Sequence, residues 1–262
     1  MFDVRELGTV LGIWAHPDDE AYLSGGLMAM AAARGSRVVC VTATRGERGT
    51  PDPRRWPPDR LAAERTRELT CSLDILGVAE HHWLDYPDGG CARVNADAAV
   101  EKLSALIAEV RPDTVLTFGP DGNTGHADHR TVGLWAARAF DRAAGRGARL
   151  LQSAVGERWA RRWQPLNEGL GVFCPGFPIV YADSALTIDL VLDAEINHRK
   201  VRALAAQRTQ TATLLGAMGR ARYGEWVAEE AFVERVPLTV AHEPCPRCWW
   251  DSTIARWRCP VG

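Results

Sequence analysis

The stretch LGTVLGIWAHPDDEAYLSGGLMAMAAARGSRVVCVTAT, residues 7–44, decides the fold. Leu7 to Ala15 is a short apolar run that stops at a polar cluster, the pattern of a buried strand. Glu20 to Arg34 carries apolar residues at helical spacing and ends at Gly35, a helix C-terminal signal. Arg37 to Thr44 is apolar and β-branched and reads as a second strand. Strand, helix and strand in about 40 residues form a βαβ unit, the building block of a parallel sheet.

Working outward, a loop rich in Pro, Arg and Gly runs from Gly46 to Pro58, and Asp59 to Leu76 is an amphipathic helix closed by Gly77. His81 to Leu84 is a short strand. Val94 to Val110 is a helix ended before Pro112, and Thr114 to Phe118 is a strand followed by a Gly- and Asp-rich turn. A helix from about His129 to Ala144 and a strand from Ala148 to Val155 complete the regular part. Beyond it, Ile179 to Ala182, Leu186 to Leu190 and Ala231 to Val236 read as short strands, and Ala194 to Ala206 as a helix. The alternation predicts an α/β fold: a Rossmann-like, open, mostly parallel sheet with helices on both faces and an irregular C-terminal elaboration. No repeat or linker divides the 262 residues, so one domain is expected, with a Cys-rich tail over 241–262.

Composition narrows the function. A net charge of −2 offers no basic footprint for nucleic acid. The longest near-apolar run, Gly25 to Ala33, is about half of what a membrane span needs. Charges at Asp3, Arg5 and Glu6 interrupt what a signal peptide would keep apolar, and seven cysteines, an odd number, suit a reduced compartment; the cytoplasm is the expected location. Ten tryptophans leave two readings open, an aromatic-lined pocket or scattered core and surface residues.

Two polar constellations carry chemistry. His16, Asp18 and Asp19 follow the first strand directly, at the sheet edge where α/β proteins bind ligands. Imidazole plus carboxylate suits zinc or another divalent first-row ion, with one carboxylate ligating and its neighbour facing a water. Helix capping by Asp18 or Asp19 is the plainer alternative. His126, Asp128 and His129 follow the Thr114 to Phe118 strand, with the two histidines on one face of a starting helix. In a doubly wound sheet these strands are neighbours at the switch point, so the clusters should face each other and together complete a three-ligand site.

These two segments resemble the signature motifs of the LmbE/PIG-L family of zinc-dependent deacetylases, and the likeness covers about residues 8 to 235. Thr44 to Glu47, Arg65 to Leu69, Leu76 to Val78, Pro87 to Gly89, Thr187 to Asp189 and Lys200 to Gln210 resemble further family segments. The resemblance implies that His16, Asp19 and His129 hold the metal. It makes Asp18 the general base and His126 the acid or oxyanion stabiliser. It places Glu47, Arg65 and Asp88 among sugar-binding residues. Asp128 would orient an imidazole, with a helix cap as its alternative. The implied reaction is hydrolysis of an N-acyl, typically N-acetyl, group on a glucosaminyl small molecule by a metal-activated water. Zinc is the implied ion, with iron(II) the alternative. An amidase acting on mycothiol conjugates and a non-catalytic metal- or sugar-binding protein are the competing functions. The chain departs from the family at Thr124, where an aromatic is usual, at Gln207, where a His is usual, and in the loop Thr50 to Pro58. Outside the family pattern, His242, Cys245, Cys248 and Cys259 have structural-zinc character, with packed thiols or a disulfide as alternatives.

Overall fold

The structure is a computed structural model that describes residues 3–235. The tail with His242, Cys245, Cys248 and Cys259 lies outside the described residues. In chain order the elements are β1 (Val10–Trp14), α1 (Asp19–Ala33), β2 (Val38–Thr44), α2 (Pro58–Leu76), β3 (Glu80–Tyr86), α3 (Ala96–Val110), β4 (Thr114–Phe118), α4 (Ala127–Ala143), β5 (Arg149–Ser153), β6 (Val155–Gly156), α5 (Glu157–Leu170), β7 (Val180–Tyr181), β8 (Ile188–Val191), α6 (Ala194–Ala206), α7 (Arg208–Met218), α8 (Arg220–Trp226) and β9 (Glu229–Glu234).

Seven strands form one sheet in the order β3-β2-β1-β4-β5-β9-β8, and β6 pairs with β7 apart from it. The first five strands of the sheet are parallel; β9 runs antiparallel to both β5 and β8. The expected open α/β sheet is therefore present, and the C-terminal elaboration adds its antiparallel edge. Every residue of β1, β2 and β4 is buried, as near-continuous apolar runs require when helices cover both faces. The helices divide into two groups: α3 packs on α4, while α1 and α2 pack with α6.

Local signals account for the helix ends. Pro58 starts α2, where its missing N–H costs nothing, and Gly77 ends it in a left-handed conformation. The Asn95 side chain caps α3 by accepting from the N–H groups of Asp97 and Ala98. Helix α4 begins two residues before its expected start because His126 acts as its N-cap. Helices α5, α7 and α8 were not legible. Pro165 interrupts the α5 pattern, and α7 and α8 are short, polar-rich and punctuated by glycines, so packing rather than propensity holds them.

One core runs through the molecule. Trp14 meets Phe118 edge-on with centroids 5.1 Å apart, and Phe118 stacks on His129 at 4.4 Å. The aromatic core thus reaches directly to the polar cluster above β1 and β4. Among the described residues, no helix is long and apolar enough to cross a membrane.

Candidate active site

Strand β1 delivers His16, Asp18 and Asp19 to its C-terminal end, and β4 with the start of α4 delivers His126, Asp128 and His129. Because β1 and β4 pair directly, the two segments meet over the switch point. His16 Nδ1 lies 3.1 Å from His129 Nε2 and 3.5 Å from the Asp19 carboxylate, which is 3.3 Å from His129 Nε2. Ligands ~2.1 Å from a tetrahedral ion stand roughly 3.4 Å apart, so this spacing is what a shared ion needs.

Hydrogen bonding fixes which ring nitrogens can ligate. His129 Nδ1 donates to the Gly122 carbonyl at 3.0 Å, which leaves Nε2 as a lone pair. His16 Nε2 faces Asp88 at 3.1 Å and Asp128 at 3.4 Å, so it carries a proton and Nδ1 is the nitrogen that can face an ion. Two imidazole nitrogens and a carboxylate thus converge on one point, and His and Asp donors in this arrangement suit a divalent metal. His126 also lies close enough to share an ion with His16 and His129.

The crowded charges shift the titration of every group in the cluster. Burial alone would lower the His16 pKa, but Asp128, Asp19 and Asp88 outweigh it and hold the imidazole well above its usual range. Burial pushes His129 down to about 4. Asp19 loses to burial but gains more from His129 and His16, and stands at about 2. Asp18 is pushed up to about 7 by burial and the Asp19 charge, against the pull of Arg65. His126 is lowered by burial and by its proximity to His16.

Asp18 sits at the N-cap of α1 with a φ of 111°, and among the described residues its carboxylate makes no capping bond. A non-glycine residue there costs ~1–3 kcal/mol. Glu20 helps to hold it, its carboxylate accepting the Asp18 N–H at 2.9 Å. The side chain instead faces Arg65 at 3.6 Å. Arg65 is buried; it donates to the Gly46 carbonyl at 2.8 Å and to the Pro17 carbonyl, tying the first motif to the loop after β2. Gly46 has a φ of 62°, and a Cβ there would collide with the Arg65 guanidinium.

Asp128 does not cap α4. Its carboxylate accepts the N–H groups of Gly89 at 2.7 Å and Cys91 at 3.1 Å, so it joins the β3 loop to His16. Asp88 is pinned by the Arg48 N–H at 2.8 Å while it faces His16. Glu47 accepts the Asp88 N–H at 2.9 Å. Asp18, Arg65, Asp88, His126 and the three ligand candidates all line one cavity of about 480 Å³; Glu47 stands behind Asp88 and does not line it. Several cavity residues had no signal in the sequence. Asn123, bonded to Ser153 across the β4–β5 gap, sat inside the Gly- and Asp-rich turn. Trp159 and Trp226 line the wall from helices that were not anticipated, whereas Trp14, Trp135 and Trp163 belong to the core. Both readings of the tryptophan count are thus partly right.

Residues 11–140 match the family model for PIG-L, GlcNAc-PI de-N-acetylase. A deacetylase of Corynebacterium glutamicum, 1D-myo-inositol 2-acetamido-2-deoxy-alpha-D-glucopyranoside deacetylase, is 33% identical over 237 residues, covering 80% of this chain and 78% of the relative. The chain belongs to the PIG-L family. A Kineococcus radiotolerans protein of the same name is 35% identical over 174 residues, which cover 56% of this chain; the match spans only about half, 48%, of that relative's length. Among solved structures, N,N'-diacetylchitobiose deacetylase from Pyrococcus horikoshii superposes with a TM-score of 0.61 at 21% identity, covering 89% of this chain and 87% of that one. That likeness is one of fold. Both polar segments, Ala15 to Glu20 and Gly125 to His129, fall inside the matched residues.

Proposed function

We propose that this PIG-L chain is a metal-dependent hydrolase that removes an N-acyl group from a glucosaminyl small molecule, with zinc as the ion. The observation that carries the proposal is the convergence of His16 Nδ1, His129 Nε2 and Asp19 at 3.1–3.5 Å, beside the free carboxylate of Asp18 in the same cavity. The relatives named above act on an acetamido sugar, which supports the substrate class.

His16, Asp19 and His129 would hold the ion. When bound, it supplies a Lewis acid that brings the pKa of a water toward ~7 and polarises the amide carbonyl. Asp18 takes the proton of the attacking water and passes it to the departing nitrogen as the C–N bond breaks. Arg65 positions that carboxylate. The His126 tautomer follows from its cap role: Nδ1 accepts the Asp128 N–H at 3.2 Å, so Nε2 bears the proton. It can therefore donate to the carbonyl oxygen as negative charge develops, a contribution worth roughly 3–4 kcal/mol in comparable sites. Asp88 and Asp128 keep the His16 ring oriented. Glu47 supports the Asp88 loop from behind, and Arg65 and Asp88 form the polar side of the sugar site.

The test is acetate and amine release from N-acylglucosaminides by zinc-loaded wild type beside Asp18→Ala, with metal content measured for both. Turnover in the wild type, lost in Asp18→Ala at equal zinc content, is expected. Equal turnover in the two proteins would overturn the assignment of Asp18.

A further inference from the structure

The cavity is not symmetric about the metal cluster. On the side of β2 and β3 it is polar, with Arg48, Arg65, Asp88 and Gln210 in its wall. On the side of β5 and β9 the wall is Trp159, Phe173, Leu186 and Trp226, joined by Tyr22 and Leu214. The aromatic residues form a continuous surface: Trp159 lies 6.3 Å from Phe173 and 6.1 Å from Trp226, and Trp226 lies 5.9 Å from Tyr22, centroid to centroid. Their indole N–H groups are spent on the protein. Trp159 Nε1 donates to the Trp226 carbonyl at 3.1 Å, Trp226 Nε1 donates to Asn167 at 3.0 Å, and Tyr223 donates to the Tyr22 hydroxyl at 2.8 Å.

Charges on this side are also matched internally. Glu230 receives Lys200 at 2.7 Å and the N–H groups of Gly26 and Leu27 at 2.7 and 2.8 Å. At the far rim Arg158 pairs with Asp189 at 2.8 Å and approaches Glu229 at 3.5 Å; its side chain is half exposed, so the chamber ends near solvent. Asp183, also in the wall, lies 3.8 Å from Arg158, and inward of this charged rim the surface left for a ligand is the aromatic wall.

A trans amide sends its two substituents in opposite directions across the planar C–N bond. With the carbonyl over the cluster and the sugar on the polar side, the acyl group enters the apolar chamber. The cluster, the polar side and the apolar chamber share one cavity of about 480 Å³, and an acetyl methyl would leave the wall of Trp159, Phe173, Leu186 and Trp226 uncovered. We infer that the acyl group removed here is apolar and much longer than acetyl, a medium-chain fatty acyl of roughly six to ten carbons, an inference that rests on the amide-hydrolase function proposed for the same site.

The experiment compares kcat/KM of the zinc-loaded full chain on p-nitrophenyl glucosaminides carrying N-acetyl, N-butanoyl, N-hexanoyl or N-octanoyl groups, by amine release. Octyl N-acetylglucosaminide tests the opposite placement. Binding of octanoate against acetate, read by quenching of tryptophan fluorescence, provides a measurement that needs no turnover. Each buried methylene should raise kcat/KM about three- to four-fold, hence on the order of 100-fold for hexanoyl over acetyl. Phe173→Ser, in a loop, and Leu214→Gln, on a half-buried helix face, should each cut that ratio about ten-fold. N-acetyl as the best acyl group, with octanoate not bound, would overturn the inference and leave the hydrolase standing. A gain from the octyl aglycone instead of the octanoyl group would overturn the placement on the acyl side. Octanoate binding without hydrolysis of any amide would overturn the reaction and support the chamber's apolar ligand. Neither binding nor hydrolysis would overturn both.

Discussion

Replacing Asp128 by Ala removes a carboxylate that holds three things at once. It accepts the N–H groups of Gly89 and Cys91 and faces His16 Nε2 at 3.4 Å, with 1% of the residue exposed. The costs are unequal. Gly89 is exposed and can bond water, while Cys91 is buried and loses its acceptor. A buried N–H left unpaired costs ~1–3 kcal/mol, and a hydrogen bond to a charged group is worth ~1.5–3. Together these give a loss of about 2–4 kcal/mol in the metal-free protein, or a fall in Tm of roughly 5–12 °C for a domain of this size. Metal affinity should fall as well, because partners that orient a ligating imidazole are worth ~10–100-fold. The effect belongs at the lower end, near ten-fold, since Asp88 remains 3.1 Å from the same nitrogen. Asp128→Asn keeps one acceptor but sets an amide N–H against another donor, so it should lose about half as much. Thermal unfolding of the metal-free protein measures the first effect, and zinc competition against a chromogenic chelator measures the second. An Asp128→Ala protein with unchanged Tm and unchanged zinc affinity would refute the role assigned to this carboxylate.

Three further outcomes follow from the same geometry. Arg65→Met should cost about 2–4 kcal/mol in urea unfolding, because the Gly46 and Pro17 carbonyls lose a buried donor, and Arg65→Lys should recover little, since one ammonium cannot span both. Lys200→Met should destabilise by ~3–5 kcal/mol because it strands the buried Glu230, and adding Glu230→Gln should recover a large part; equal stability of the single and double variants would remove the ion pair from the account. His81 is pushed down to about 4 by burial and by the neighbouring His82 and Arg45. Unfolded, it binds a proton below about 6.5 that the folded chain refuses, so its stability contribution is complete above that pH and is lost as pH falls toward 4. Wild type should therefore lose stability faster than His81→Gln between pH 6.5 and 4, and parallel stability curves for the two would contradict the burial of a neutral ring.

The site was legible in two short segments because His, Asp and Asp crowded at a strand end have few structural uses. The chain could not be read as far into its second half. Helix α5 contains Pro165, which breaks the helical signal; α7 and α8 hold little amphipathic pattern of their own and exist because α6 and α2 pack against them. With those helices unread, the apolar wall of Trp159, Leu214 and Trp226 could not be assembled either. Nothing in the sequence around Arg65 signals its burial, and only the fold places it between the Pro17 and Gly46 carbonyls.

The sequence by itself determined the parallel sheet and the chemistry available at its edge, because both follow from local patterns: apolar runs broken by glycine and two motifs of metal-binding residue types. Tertiary structure alone decided the rest. The β1–β4 pairing brings His16 within 3.1 Å of His129, 113 residues apart, and the β9 return places an aromatic wall opposite the polar side of the cavity. Such contacts depend on which surfaces close over one another, and no local spacing encodes that closure.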